Sequence, residues 1–358
     1  MSFSKPRLVH VVWTLRRAGA ERMVFDLCQA FLKEYSVEVI ALNGGGEMEA
    51  EYRAAGITIT IAPKTRGGVD RRKLIDWLIA RWSEHRPHIV NTHLDADVWA
   101  GFACRKLRIP QVITAHSHED EYSWFKQLLR WRAYRGAQYV VSVSESVQQM
   151  VTHRYGIKTS LQSVIPVGID GSRFVPRHVH HAGDMPHLIM VGRLTKEKGQ
   201  ETVLEALASV HRPWTLEIIG EGPDRISLQR KAEMLGIMPR ITFAGSVDNV
   251  PERLRHADLF LLASHHEGQA IAVREAAVAQ VPILVSSLSI FNEVFPPDTL
   301  AFAPIGNVEA WAKAISDILN QYGHAIERAH RARKIVQELY TVEVMKESYN
   351  QLYRRLIG

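Results

Sequence analysis

The sequence predicts an α/β protein built as two doubly wound halves. Three observations carry this. Short apolar runs of strand length alternate with helix-length amphipathic stretches along nearly the whole chain. The 358 residues favour two domains over one, because single cores stop growing at about that size. The alternation breaks once, over residues 166–186, where three prolines, three glycines and a lack of periodicity read as a linker.

In the first half, strands are expected at 8–13, 37–42, 58–61, 89–92, 111–115, 139–143 and 162–165. Helices fall between them, as at 21–34, 71–85, 98–107 and 145–155. In the second half, strands are expected at 187–191, 215–219, 241–244, 259–262 and 283–286. Their helices lie at 199–210, 223–235, 251–256 and 270–279, followed by 308–319, 325–340 and a last basic-tipped helix at 341–357. Two such halves imply a cleft between them, the usual place for a ligand.

Composition narrows the class. The hydrophobic fraction of 46% is ordinary for a globular protein. No apolar run approaches the ~20 residues that span a bilayer, and residues 1–6 lead into the first strand without a signal-peptide pattern. Cys28 and Cys104 sit in helix-like apolar contexts, which supports neither a disulfide framework nor a zinc site. A reducing, cytoplasmic compartment is the expectation. The triplet His178, His180 and His181 falls in the linker and reads as solvent-exposed rather than metal-binding.

The net charge of +6 admits nucleic acid, anionic lipid or anionic substrates as partners. No nucleic-acid motif is present, and acids interrupt the basic residues. Two segments concentrate charge beside aromatics. One holds Arg66, Arg71, Arg72, Lys73, Arg81 and Arg86 around Trp77 and Trp82; the other is WFKQLLRWRAYR at 124–135. Each reads either as a membrane-surface helix or as a solvated face whose apolar side is core.

The chemistry concentrates at Glu267 and Glu275, eight residues apart. The run 257–264 reads as a buried strand, so Glu267 lies at its C-terminal end and Glu275 about two turns into the next helix. Ligands bind at that edge of an open α/β sheet. The N–H groups of Ala270, Ile271 and Ala272 at the helix start are placed for a phosphate. Arg193 and Lys198, in GRLTKEKG after the first strand of the second half, reach the same edge. Two cations beside a helix N-terminus suit a diphosphate.

This Glu-x7-Glu pattern resembles that of retaining glycosyltransferases of the GT-B fold, family 4. Further stretches resemble the same family. They are Gly192–Gly199, Gly220-Glu221-Gly222-Pro223, the loop with Val247, Ala18-Gly19-Ala20-Glu21-Arg22, Ser144-Glu145, the 165–170 stretch, His93 and His116. The resemblance implies two Rossmann-like domains facing across a cleft, at 1–165 and 187–340, with the 341–358 helix returning to the first. It implies that Arg193 and Lys198 neutralise a departing nucleoside diphosphate. Glu267 would hold the donor sugar and Glu275 the ribose. Gly19 and Gly220 would approach the donor, the Val247 loop would frame the base, and His116 would contact the sugar. His118, Asp120 and Glu293 are further candidates near the site. Glu21 and Arg22 are read as helix starters. Ala18, Val167, Ala270 and Gln280 depart from the residues usual at their positions.

The activity so implied is retaining transfer from a nucleotide-diphosphate sugar, a UDP-sugar first, to a lipid-linked or cell-surface glycan. Lipopolysaccharide or exopolysaccharide precursors fit the acceptor, at an anionic inner-membrane surface. No cofactor or metal is expected, since the nearest Asp-x-Asp, at Asp95 and Asp97, opens a helix in the first half. A lone donor-side carboxylate argues against the two-carboxylate glycosidase arrangement. A nucleotide-sugar epimerase and a non-catalytic nucleotide-sugar-binding subunit stand as alternatives.

Overall fold

The computed structural model describes residues 5–63, 70–116, 123–176, 184–269 and 271–358. Two compact units emerge, one of residues 1–168 and 342–358, the other of residues 169–341. Each is a wholly parallel sheet covered by helices, as expected for an α/β protein of two doubly wound halves.

The first unit runs β1 (Arg7–Val12), α1 (Gly19–Phe31), β2 (Ser36–Ala41), α2 (Glu49–Ala54), β3 (Thr58–Ile61), α3 (Arg71–Glu84), β4 (Ile89–His93), α4 (Ala96–Leu107), β5 (Gln111–Ala115), α5 (Trp124–Gly136), β6 (Tyr139–Ser142), α6 (Glu145–Tyr155) and β7 (Gln162–Val164). Its strand order is β3-β2-β1-β4-β5-β6-β7. The second runs β8 (His187–Val191), α7 (Gln200–Ala208), β9 (Thr215–Ile219), α8 (Arg225–Met234), β10 (Ile241–Gly245), α9 (Val250–His256), β11 (Leu259–Leu262), α10 (Ile271–Val278), β12 (Ile283–Ser286), α11 (Ser289–Val294), β13 (Ala301–Ala303), α12 (Val308–Asn320) and α13 (Tyr322–Leu339). Its order is β10-β9-β8-β11-β12-β13. The strand order therefore reverses at β1/β4 in one sheet and at β8/β11 in the other. Such reversals open a crevice at the strands' C-terminal ends.

Local chemistry sets the elements. Strands such as LFLL in β11 and ILVS in β12 are apolar throughout because helices cover both faces. Asp70, Ser144 and Asn307 accept from backbone N–H groups in the first turns of α3, α6 and α12. Gly156 ends α6 in the left-handed conformation that a Cβ would strain. Trp82 fills the core of the first unit, and Trp214 and Trp311 that of the second.

A last helix, α14 (Val342–Ile357), belongs to the first unit. Its buried face carries Tyr349 and Tyr353, both fully enclosed. Asn91 Nδ2 donates to Tyr353 Oη at 2.6 Å, and Thr114 Oγ1 lies 3.1 Å from Tyr349 Oη. Asn350 bonds Tyr35 and Glu34 of the first unit, and Lys346 pairs with Glu34.

Several expectations shift. The boundary lies at 168/169, not across a free 166–186 linker, because Ile169 and Phe174 bury their side chains in the second unit's core. His178, His180 and His181 lie outside the described residues. The short elements α2, α11 and β13 carry too few residues to show a period. The two basic-aromatic segments part ways. In α3, Leu74, Leu78 and Trp82 are core, while Arg81 pairs with Glu38 at 2.5 Å. In α5, Trp124 (77% exposed), Phe125, Leu128 and Trp131 face outward.

Candidate functional site

At the β8/β11 reversal, backbone contacts press the strand-end loops together. Gly199, at φ 63°, lies so close to β11 that a Cβ would stand 2.0 Å from Ala263 O. Gly220, at φ 136°, leaves the same 2.0 Å to Gly192 O. No other residue fits either place without moving backbone. Hydrogen bonds from Gly192 N to Ile219 O (3.0 Å), Leu194 N to Glu221 O (3.0 Å) and His265 N to Glu197 O (2.7 Å) stitch the loops.

This stitching joins side chains distant in sequence. Lys198 Nζ lies 2.7 Å from Glu267 Oε1, and Ser264 Oγ donates to the same oxygen at 2.7 Å. The Glu267 side chain is 9% exposed and that of Lys198 is 21% exposed. A carboxylate so enclosed needs charged or hydrogen-bonding partners, and both converge on one oxygen. No described residue bonds Oε2 of Glu267. Arg193 is exposed, its backbone carbonyl fixed by Gln200 Nε2 at 2.8 Å.

The helix α10 starts at Ile271, so Glu275 lies one turn into it rather than two. Ile271, Ala272 and Glu275 are all partly exposed. The first N–H groups of a helix lack intrahelical acceptors and carry its positive end, which attracts anions. Ala270 lies outside the described residues. Gly220 N donates to Gly245 O at 2.8 Å, holding the loop that leads to Val247; Val247 packs partly against the core. Glu293 sits on α11, exposed.

Sequence reasoning missed Arg274, beside Glu275. It is 1% exposed and stacks 4.5 Å above the ring of Tyr340. Burial pulls its pKa down to about 10, and Tyr340 and Glu293 act against that. The available signal was an arginine inside the run IAVREAAV, which is apolar apart from it and Glu275.

The β1/β4 edge of the first unit differs. Gly19 is exposed at the first position of α1, whose preceding residue Ala18 offers no side-chain cap. Glu21 is buried and its carbonyl accepts from Tyr52 Oη at 2.9 Å. Arg22 pairs with Asp26 and Glu51, so both residues support the helix. Asp95 and Asp97 hold the buried Arg130 at 3.2 and 3.7 Å.

His93 ends β4, and His116 stands just beyond β5. They meet: His93 Nδ1 lies 3.0 Å from His116 Nε2. A third ring, which sequence reasoning took for plain strand, completes the line, with His10 Nδ1 3.0 Å from His93 Nε2. The register explains it. His10 pairs with Asn91 and His93 with Thr114, so each step crosses one strand and advances two residues, which keeps all three on one face. Burial lowers the pKa of His10 to about 3, of His93 well below its ordinary value, and of His116 to about 4. All three are neutral at pH 7. His118 and Asp120 lie outside the described residues.

Two family models match the chain in tandem, Glycosyltransferase Family 4 over residues 17–173 and Glycosyl transferases group 1 over residues 174–338. The chain is 27% identical over 252 residues to a GDP-mannose-dependent alpha-(1-6)-phosphatidylinositol monomannoside mannosyltransferase of Mycobacterium tuberculosis, covering 62% of this chain and 64% of that protein. It is 29% identical over 171 residues to the lipopolysaccharide core biosynthesis glycosyltransferase LpsE of Rhizobium meliloti, covering 47% and 50%. The chain thus spans less than two thirds of either relative. Its fold is similar to that of HepE of Anabaena, solved with UDP and glucose, at a TM-score of 0.87 and 16% identity over 98% of this chain and all of that one.

Proposed function

Since the chain belongs to the family 4 glycosyltransferases, we propose that it transfers a sugar from a nucleotide-diphosphate sugar, a UDP-sugar first, to a glycan hydroxyl with retention at the anomeric carbon. The observation that carries this is the Lys198–Glu267–Ser264 cluster beside the N-terminus of α10. In this reading the diphosphate sits on the α10 N–H groups, with Arg193 and Lys198 as counter-charges. Oε2 of Glu267 takes a sugar hydroxyl, and Glu275 takes the ribose. As the bond from the anomeric carbon to the phosphate oxygen breaks, the fixed cations stabilise the charge that gathers on the leaving diphosphate. The acceptor oxygen bonds the same carbon, and its proton passes to that diphosphate. His116 gives a neutral hydrogen bond to a sugar hydroxyl. The reaction so written needs no metal.

The acceptor reading is a lipid-linked glycan at an anionic membrane surface, such as a lipopolysaccharide or exopolysaccharide precursor. Its support is α5, where Trp124, Phe125, Leu128 and Trp131 are exposed beside Arg132 and Arg135. None of the described helices is long and apolar enough to cross a membrane. Wild type should sediment with phosphatidylglycerol vesicles at low salt, and a Trp124→Ser/Phe125→Ser variant should stay in solution. Equal sedimentation of both would remove α5 from the proposal.

A thermal-shift series with UDP, GDP, ADP and their sugar conjugates tests the donor reading. UDP should stabilise the protein and a UDP-sugar should stabilise it further. Glu267→Ala should lose only that second increment. No shift with any nucleotide would overturn the donor site.

A further inference from the structure

We propose that α4 and α5 frame a site for a lipid-borne phosphate that carries more than one negative charge, as a phosphomonoester headgroup does, held by Arg105, Arg132 and Arg135. This rests on the reading of α5 as a helix that meets a membrane surface.

The site is a cavity of about 320 Å³ lined by Phe102 and Arg105 of α4 and by Trp131, Arg132, Arg135 and Gly136 of α5. A water's share of liquid volume is about 30 Å³, so a phosphate fits there together with several waters. Two of the three guanidinium groups are held in place. That of Arg105 lies 4.9 Å from the centre of the Phe102 ring, and its Nη1 donates to Arg132 O at 2.7 Å. That of Arg135 lies 5.1 Å from the centre of the Trp131 ring. A guanidinium stacked on a ring keeps its in-plane N–H fork for a phosphate. Gly136 supplies the room, since a Cβ there would stand 2.3 Å from Arg105 Nη1.

The charge of this cavity has no counterpart in the protein. Among the described residues, no carboxylate pairs with Arg105, Arg132 or Arg135. The contrast lies on the same helix, where Arg130 sits against Asp95 and Asp97. Burial lowers the pKa of Arg105, and the charge of Arg132 lowers it further. Three like charges so placed are best relieved by an anion of more than one charge. A phosphomonoester carries about −1.5 to −2 at neutral pH, and a phosphodiester carries one.

The surface beside the cavity identifies the source of the phosphate. Trp124, Leu128, Trp131 and Arg135 recur at i, i+4, i+7 and i+11, which is one stripe of α5. The first three are exposed apolar side chains. At 1.5 Å per residue the stripe runs about 16 Å, apolar at one end and cationic at the other. A free phosphate ion would use only the cationic end. A phosphate attached to acyl chains would use both.

Sedimentation of the full-length protein with phosphatidylcholine vesicles gives the test. One set contains phosphatidic acid, the other phosphatidylglycerol at matched surface potential. Wild type should bind the first about tenfold more tightly, the value of one charge-assisted hydrogen bond. Arg132→Lys/Arg135→Lys keeps the net charge and removes the forked donors. It should bind phosphatidylglycerol vesicles as wild type does and lose the preference for phosphatidic acid. Equal binding of both vesicles by wild type, or an undiminished preference in the lysine variant, overturns the phosphate site and leaves the membrane reading of α5 standing. Binding of neither vesicle overturns that reading and the phosphate site with it. A wild type stabilised against heat by soluble glycerol phosphate, yet without preference between vesicles, overturns the lipid source in favour of a free phosphate.

Discussion

The two sheets share one strand order through their first six strands, yet the edges where that order reverses carry opposite chemistry. At β8/β11 the side chains are ionic. Lys198 and Glu267 pair, and Arg193 is a second, exposed cation on the loop after β8. At β1/β4 and β5 the side chains are imidazoles held neutral by burial. Charged groups with partial exposure suit a charged ligand that brings its own counter-charge. Neutral, enclosed donors suit a polyol, for which a fixed charge would add desolvation cost without a partner. In the proposed reading, the same backbone frame sorts substrate chemistry by what is placed at the strand ends.

Acid should break the comparison most strongly. A histidine whose folded pKa lies below its unfolded value of 6.5 contributes stability that is present at neutral pH. That stability is lost as pH falls through 6.5, and the loss continues to the folded value, about 4 for His116 and about 3 for His10. Each ring contributes a slope of about 1.4 kcal/mol per pH unit in that window, so three give up to about 4 kcal/mol per unit. Among the described residues, the second unit has no buried histidine. Urea unfolding followed by hydrogen exchange between pH 7 and 5 should show the first sheet losing protection before the second. The reverse order would contradict the contrast drawn between the two edges.

A smaller effect sharpens the ionic side. Arg193→Gln should weaken UDP binding about 10- to 100-fold, the value of one or two charged hydrogen bonds. Isothermal titration at two salt concentrations checks this. The loss should shrink at high salt, because Arg193 is exposed and screened. A salt-independent loss would point to a packing role.

Much of the fold was legible because parallel strands under two helical layers are largely apolar, and β5, β8, β9, β11 and β12 begin and end at the residues expected from the sequence. The ionic edge was legible in part, since Glu267, Arg193 and Lys198 fall directly after strands. Their pairing was not. Lys198 and Glu267 are 69 residues apart, and the pairing of β8 with β11, the Gly199 contact with Ala263 and the His265–Glu197 backbone bond bring them together. His10 was hidden for the same reason. It is the one polar residue inside LVHVV, 83 residues from His93, and the pairing of β1 with β4 makes them neighbours. Asp95 and Asp97 show the converse, a pair with metal-like spacing whose partner, Arg130, lies on another helix.

The helix α14 also bears on how the protein is made. Residues 169–341 form one uninterrupted unit, whereas the first unit is divided around them. At about 5–20 residues per second, a ribosome spends on the order of ten seconds or more on the intervening stretch. Throughout that time Asn91 and Thr114 have no Tyr353 or Tyr349 to bond, and the face of the sheet that α14 will cover stays open. The sheet that leaves the ribosome first is therefore completed last, after the second sheet has had its whole sequence available.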